Sequence, residues 1–233
     1  NISNYLKVVL IATTGVLAYV VIDTHSRAAT GLLVIITLMA MLYSIYYYRN
    51  WYSLIISILL ISLASVVLVY NPPVIVHKFA TASNLFGDSG RQKIRNFAYY
   101  VFKIDPILGT GIGNFPNFGH DDIKDLVIQD KGVYDKNQFL PFKHPHNIYL
   151  VYLTGGGILL LSVFMWFWLQ IMNIIYRVNK RSNEKWIVFS SVSVVMAVLS
   201  IGWVNITLAH EHALIAMLVL GFVISMERKF SSF

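Results

Sequence analysis

The chain has 233 residues, 57% hydrophobic and only 12% charged. That is about half the charged fraction of a soluble domain, which places the chain in the membrane class before any motif is read. It holds no cysteine, which excludes a disulfide framework and a thiolate zinc site. The net charge of +7 does not mark a nucleic-acid binder: Lys7, Arg49, Arg177, Lys180, Arg181, Lys185, Arg228 and Lys229 flank apolar blocks, where they act as an orientation signal.

The apolar segments run in order: Leu6 to Ile22, Gly31 to Tyr48, Trp51 to Tyr70, Ile148 to Tyr176, Trp186 to Asn205 and Ile206 to Met226. Most approach the ~20 residues that a ~30 Å hydrocarbon core requires. Each must be helical, because an open strand in lipid leaves backbone groups unpaired. Tyr46, Tyr47, Tyr48 and Trp51 mark one turn, and Tyr176 and Trp186 another, as interfacial aromatics do. The expected fold is an all-α integral membrane protein of about six transmembrane helices. Three helices lie in 1–70, a long periplasmic loop with short helices in 71–147, and three helices in 148–233. The chain begins with Asn rather than Met, and no signal peptide precedes the first block. A fragment lacking earlier spans is expected.

The basic turns at Arg49 and at Arg177 to Lys185, with the tail at Glu227 to Lys229, face the cytoplasm. Alternation then puts Asp23 to Arg27, the long loop, and Ala209 to His212 on the opposite side. The loop carries nine Lys or Arg and seven Asp, a mild excess that suits an anionic headgroup or a sugar diphosphate better than a nucleic-acid groove. A helix is predicted from Ser89 to Ile104, with Ile94, Phe97, Ala98, Val101 and Phe102 at helical spacing and Asp105-Pro106 ending it. A loop this long with amphipathic content is usually a lid or a binding element.

The strongest local motif is His144-Pro145-His146-Asn147-Ile148-Tyr149-Leu150, where the loop re-enters the membrane. A histidine here can take a proton from an attacking hydroxyl, and Asn147 can fix a tautomer or bind a sugar hydroxyl. An interfacial anchor whose histidines only face water fits the residues equally well. Thr24-His25-Ser26-Arg27 places a bidentate phosphate donor at an outer end, although snorkelling to headgroups explains that arginine alone more simply. Gly87-Asp88-Ser89-Gly90-Arg91 opens the loop helix with a cation beside free backbone amides; a solvated charge is the simpler reading taken alone.

Other patterns do not carry chemistry. Gly109, Gly111 and Gly113 fail the G-x-G-x-x-G spacing and follow a helix rather than a strand, so turn and close-approach roles fit better. Asp121, Asp122 and Asp125 lack calcium-ligand spacing and read as a solvated face. His210, Glu211 and His212 are consecutive and not H-E-x-x-H; a tight outer turn fits them. His77 and His120 form no pattern.

In this order, Thr24 to Ala28, Gly90-Arg91, Asp105 to Phe115, and His144 to Leu150 with Gly157 behind resemble the O-antigen ligase and polymerase superfamily of bacterial membrane glycosyltransferases, over nearly the whole chain as the C-terminal half of a member. The resemblance implies a metal-independent, inverting enzyme of lipopolysaccharide biosynthesis without cofactors. It would sit in the inner membrane and act at the periplasmic face, moving a glycan from undecaprenyl diphosphate to a lipid A-core or another glycan acceptor. Carried over by motif, Arg27 and Arg91 hold the donor diphosphate and His146 activates the acceptor hydroxyl, with His144, Asn147, Ser26 and Tyr149 as substrate-binding neighbours.

The ligase pattern of His-Asn, nine residues, then Gly is met by His146, Asn147 and Gly157, but Leu160 stands where a second glycine is expected. That departure keeps the polymerase as an alternative. A non-enzymatic transporter is a third reading, disfavoured because transporters more often place ionisable groups mid-span, and these spans are nearly free of charge.

Overall fold

The computed structural model describes residues 12–17, 19–20, 27–48, 55, 58, 89–183, 185–203, 205–207 and 211–231. Among the described residues there is helix and irregular chain and no strand. The chain divides into two units, Asn1–Phe86 and Gly87–Phe233.

In the first unit, residues 12–17 and 19–20 are helical. Helix α1 covers Arg27–Tyr48, beginning four residues before the apolar segment at Gly31. Thr37 in its interior satisfies its hydroxyl by donating to the carbonyl of Leu33 at 2.8 Å, which lets a hydroxyl sit on an apolar helix. The predicted third segment lies outside the described residues except 55 and 58, both helical.

The second unit begins with α2, Ser89–Ile104, at the boundaries predicted. Ile94, Phe97, Ala98 and Val101 are buried, one stripe at i, i+3, i+4, i+7. Asp105 then ends the helix: its Oδ1 accepts from the backbone of Ile107 at 3.3 Å and Leu108 at 3.1 Å, an Asx turn preceding Pro106. Helix α3, His120–Lys131, packs Ile123 and Val127 against α2. Asp122 caps α3 by accepting from the Gly119 N–H at 2.6 Å, and Gly132 ends it with φ of 77°, a left-handed conformation that glycine adopts freely. With Phe115, Tyr100 and Phe139 these residues form the loop's own small core. The loop is thus a folded element.

Helix α4 runs Ile148–Arg181, α5 Lys185–Gly202 and α6 Glu211–Ser231. Their buried faces meet in a second core around Trp168, Ile171, Ile175, Val195 and Leu220. Arg177 donates through Nε to Glu227 at 2.6 Å and pins the basic end of α4 to α6. Of the described helices, α4 and α5 are long and apolar enough to cross a membrane.

Two departures from the predicted segments have a visible cause. The last helix starts at Glu211 rather than Ile206, because Thr207 donates its hydroxyl to the Val198 carbonyl at 2.8 Å and folds the connection back on α5. The fourth segment is broken: Gly156 and Gly157 leave helical geometry, with Gly157 at φ 63°.

A broken helix has unpaired carbonyls before the break and unpaired N–H groups after it. Here the loop supplies the partners. Thr110 donates its N–H at 2.7 Å and Gly111 at 3.1 Å to the carbonyls of Thr154 and Gly155. Ile158 donates to the carbonyl of Pro106 at 2.9 Å, and Leu159 to that of Ile107 at 3.5 Å. Glycines on both sides make this approach possible. A Cβ on Gly109 would lie 2.4 Å from the Gly156 nitrogen, and one on Gly157 would lie 2.2 Å from the Ile107 oxygen. The close-approach role expected of the loop glycines is met at Gly109.

Candidate functional site

In the second unit, the chain turns from loop into α4 through Phe142 to Leu150. Pro145 is fully buried and restricts His144 before it to extended backbone. His146 has φ 50°, the one non-glycine residue with positive φ among the described residues. For a residue with a Cβ that conformation costs about 1–2 kcal/mol, and it persists because both neighbours are fixed.

Asn147 is the N-cap of α4. Its Oδ1 accepts from Tyr149 at 2.9 Å and Leu150 at 3.1 Å, while its Nδ2 donates to the Trp203 carbonyl at 2.9 Å. Tyr149 donates its hydroxyl to the Leu199 carbonyl at 2.7 Å. Both polar side chains therefore bind the start of α4 to the end of α5.

The two imidazoles are brought together. The rings of His144 and His146 are 4.2 Å apart, edge to face. Phe142 lies 5.2 Å from His146 and 5.7 Å from His144, and is itself exposed. His144 Nδ1 is buried without a hydrogen-bond partner among the described residues. A buried polar nitrogen without a partner is uncommon and calls for an explanation such as strain, a catalytic role or a bound water. Two imidazoles beside an exposed aromatic ring can exchange a proton with a hydroxyl-bearing ligand.

Arg91 is exposed in the first turn of α2, where the free backbone N–H groups and helix dipole favour an anion. Arg95, one turn on, falls on the same side of the helix. It donates to Gln92 Oε1 at 3.2 Å, and its Nε is buried without a partner among the described residues. Arg95 was not singled out from the sequence; its i, i+4 spacing from Arg91 is the signal that could have found it.

Arg27 is the first residue of α1 in the other unit. Ser26, with Thr24 and His25, lies outside the described residues, as do His77 and His210. Glu211 opens α6 and His212 follows it.

The remaining titratable groups of the loop serve its core. His120 Nδ1 lies 2.5 Å from the Tyr134 hydroxyl. Burial and then the nearby Lys136 charge hold the imidazole below its ordinary pKa, while burial pushes the Tyr134 hydroxyl up. The hydrogen bond from Lys103 holds the Asp130 carboxyl below the usual carboxylate range. No group of three or more metal-ligating side chains occurs among the described residues. Asp121, Asp122 and Asp125 are exposed on α3, with Asp122 used as the cap.

The family model described as O-antigen ligase matches residues 12–165. The match covers more than half of the chain and ends within α4 beyond its break, so it includes Arg27, Arg91, His146 and the glycine contacts. No curated protein matches the chain. The chain belongs to the O-antigen ligase family, whose members are membrane proteins.

Proposed function

From membership in the O-antigen ligase family we infer that this protein transfers a glycan from a lipid diphosphate to an acceptor sugar hydroxyl. We place it in the bacterial inner membrane with about six spans and its long loop on the periplasmic side. The donor is a glycan on undecaprenyl diphosphate, and the preferred acceptor is the sugar of a lipid A-core.

His146 takes the proton from the acceptor hydroxyl. The freed oxygen attacks the anomeric carbon of the donor sugar and forms the new glycosidic bond. The bond from that carbon to the diphosphate breaks on the opposite face, which inverts the configuration, and the lipid diphosphate leaves with the electron pair. Charge grows on the departing oxygen, where guanidinium groups stabilise it without a metal. Arg27 and Arg91 are assigned that task, and Ser26 and His144 are assigned to substrate contact. Asn147 and Tyr149, whose polar ends are held by α5, position the histidines.

The observation that carries the reading is the backbone at His146, a strained residue held between a buried proline and a helix cap with its ring against a second imidazole. Strain of this kind collects where a side chain must be aimed. A polymerase that extends one lipid-linked glycan with another is the second reading. It is favoured by Leu160, which replaces the second glycine of the ligase pattern and whose Cβ fills the space 2.5 Å from where a Cβ on Gly156 would sit.

Complementation of a bacterial strain lacking its ligase tests the assignment. Restored capped lipopolysaccharide bands support the ligase. Absence of capping, together with single-repeat product in the native host's deletion, supports the polymerase.

A further inference from the structure

The turn after α2 carries large apolar side chains facing outward. Ile107 is 61% exposed, Leu108 65% and Ile112 83%. In water such a cluster is costly and needs a partner. Its place on the fold indicates which one.

The turn is bonded to the break in α4, where Ile158 and Leu159 begin the long apolar part of that helix and are each 53% exposed. From Ile158 to Tyr176 the helix is roughly 28 Å long at 1.5 Å per residue, close to the ~30 Å of a hydrocarbon core. Just past Tyr176 come Arg177, Lys180 and Arg181, and the Lys180 ammonium lies 4.6 Å over the Tyr176 ring. An aromatic and basic band of this kind marks one membrane boundary. The other boundary then falls at the break, level with the turn.

A second observation is independent of depth. Every backbone N–H from Ile107 to Gly111 has an acceptor within the protein, while that of Ile112, where the turn leaves α4, has none among the described residues. Ile107 and Leu108 donate to Asp105 Oδ1. Gly109 donates to the Asp105 carbonyl at 2.9 Å, and Thr110 and Gly111 donate to α4. A turn in water can form such bonds or leave its amides to water. A turn in lipid must form them, because each unpaired group there costs several kcal/mol.

We propose that the turn from Ile107 to Ile112 is a re-entrant element immersed in the edge of the bilayer, with lipid acyl chains as the partner of its three apolar side chains. The proposal rests on α4 as a span and not on the glycan chemistry above. It makes the turn a fixed reference for depth, tying the arginine helix and the histidine cap to one level of the membrane.

The absence of cysteine makes every introduced thiol unique. The chain carrying Ile112→Cys or Leu108→Cys is spin-labelled in phosphatidylcholine and phosphatidylglycerol vesicles. Leu159→Cys serves as the lipid-facing reference. Val133→Cys, 73% exposed beyond α3, serves as the water-facing one. Oxygen and a water-soluble nickel chelate are the two relaxants. The expected result is that Ile112 and Leu108 follow Leu159, with oxygen access exceeding nickel access, and that Val133 shows the reverse order. Nickel access at both turn positions matching Val133 overturns the proposal. So does shielding from both relaxants, which would mean that protein covers the turn. The readout is independent of glycan transfer, so either proposal can fail alone.

Discussion

Thr110 and Thr154 are joined twice through a single carbonyl. The oxygen of Thr154 accepts from the Thr110 N–H at 2.7 Å and from the Thr110 hydroxyl at 3.0 Å. The carbonyl would be an orphan of the broken helix, and one loop residue gives it two donors. The Thr154 hydroxyl is used elsewhere, donating within its own helix to Leu150 at 2.8 Å.

The two threonines should therefore respond differently to the same change. Thr110→Val removes one of the two donors and is expected to lower stability by about 1 kcal/mol, with Thr110→Ser restoring it. Thr154→Val leaves the shared carbonyl in place and should leave the loop contact intact. Thermal unfolding in detergent, paired with hydrogen exchange at residues 105–111, separates the outcomes. Equal loosening of the loop in both valine variants would count against the shared-carbonyl account.

Alanine at the glycines of the loop and of the α4 break gives a graded series. Gly113→Ala meets open space and bears only the left-handed backbone penalty, about 1 kcal/mol. Gly109→Ala and Gly157→Ala add collisions with backbone, so each should cost roughly 2–4 kcal/mol in total. Thermal denaturation of the three variants checks the order; Gly109→Ala as mild as Gly113→Ala would contradict the packing.

Asn147→Ala removes the helix cap and the bond to Trp203 together. A lost cap costs about 1 kcal/mol, and loss of the bond to the Trp203 carbonyl, on an exposed residue, adds about 0.5–1.5 kcal/mol. Glycan transfer should fall with stability, because the residue before Asn147 is the proposed base. Transfer at wild-type rate in a destabilised Asn147→Ala protein would separate the cap from catalysis.

For the chemistry, His146→Ala should reduce transfer about 10²–10⁴-fold, the usual contribution of a general base. Arg27→Ala and Arg91→Ala should abolish transfer, and Arg91→Lys should restore only part of it, because lysine cannot make the bidentate contact. Immunoblots of membranes should show unchanged protein level in each. Full activity in His146→Ala with loss in His144→Ala would move the base to the neighbouring ring.

His120 makes the loop acid-sensitive. Its folded pKa lies below the ordinary value of 6.5, so the unfolded loop binds the extra proton first. The stabilising difference is fully present above about 6.5 and is lost as pH falls from there toward the folded value. The Tyr134 hydroxyl lies against Nδ1, and on a charged imidazole that nitrogen can only donate. Hydrogen-exchange protection of α2 and α3, corrected for intrinsic rates, should decline through that window in the native protein and stay flat in His120→Gln.

Helix α2 was legible from its sequence because the cause is local: the stripe from Ile94 to Val101 and the Asp105-Pro106 stop both lie within one stretch. The N-cap role of Asn147 was not drawn from its place directly before an apolar helix, and its bond to Trp203 depends on packing far along the chain. The break in α4 had a visible trace in Thr154-Gly155-Gly156-Gly157. What fills that break did not, because the register between residues 110 and 154 is set by two backbones meeting and not by any periodic pattern. The pairing of His144 with His146 was implied by adjacency, while the positive φ of His146 was not, since it follows from how Pro145 and Asn147 are held. The start of the last helix was missed because Thr207 bonds back to α5, where hydropathy alone sees one apolar run.

The broken helix also sets an order of assembly. Its missing hydrogen bonds are supplied by chain made 44 residues earlier, so residues 105–111 leave the ribosome long before their partners exist. Until the fourth segment emerges, the turn has nothing to close on. Until the turn arrives, a newly inserted α4 carries bare carbonyls at Thr154 and Gly155. Docking of the turn and completion of the broken helix are therefore one step, which follows synthesis of both.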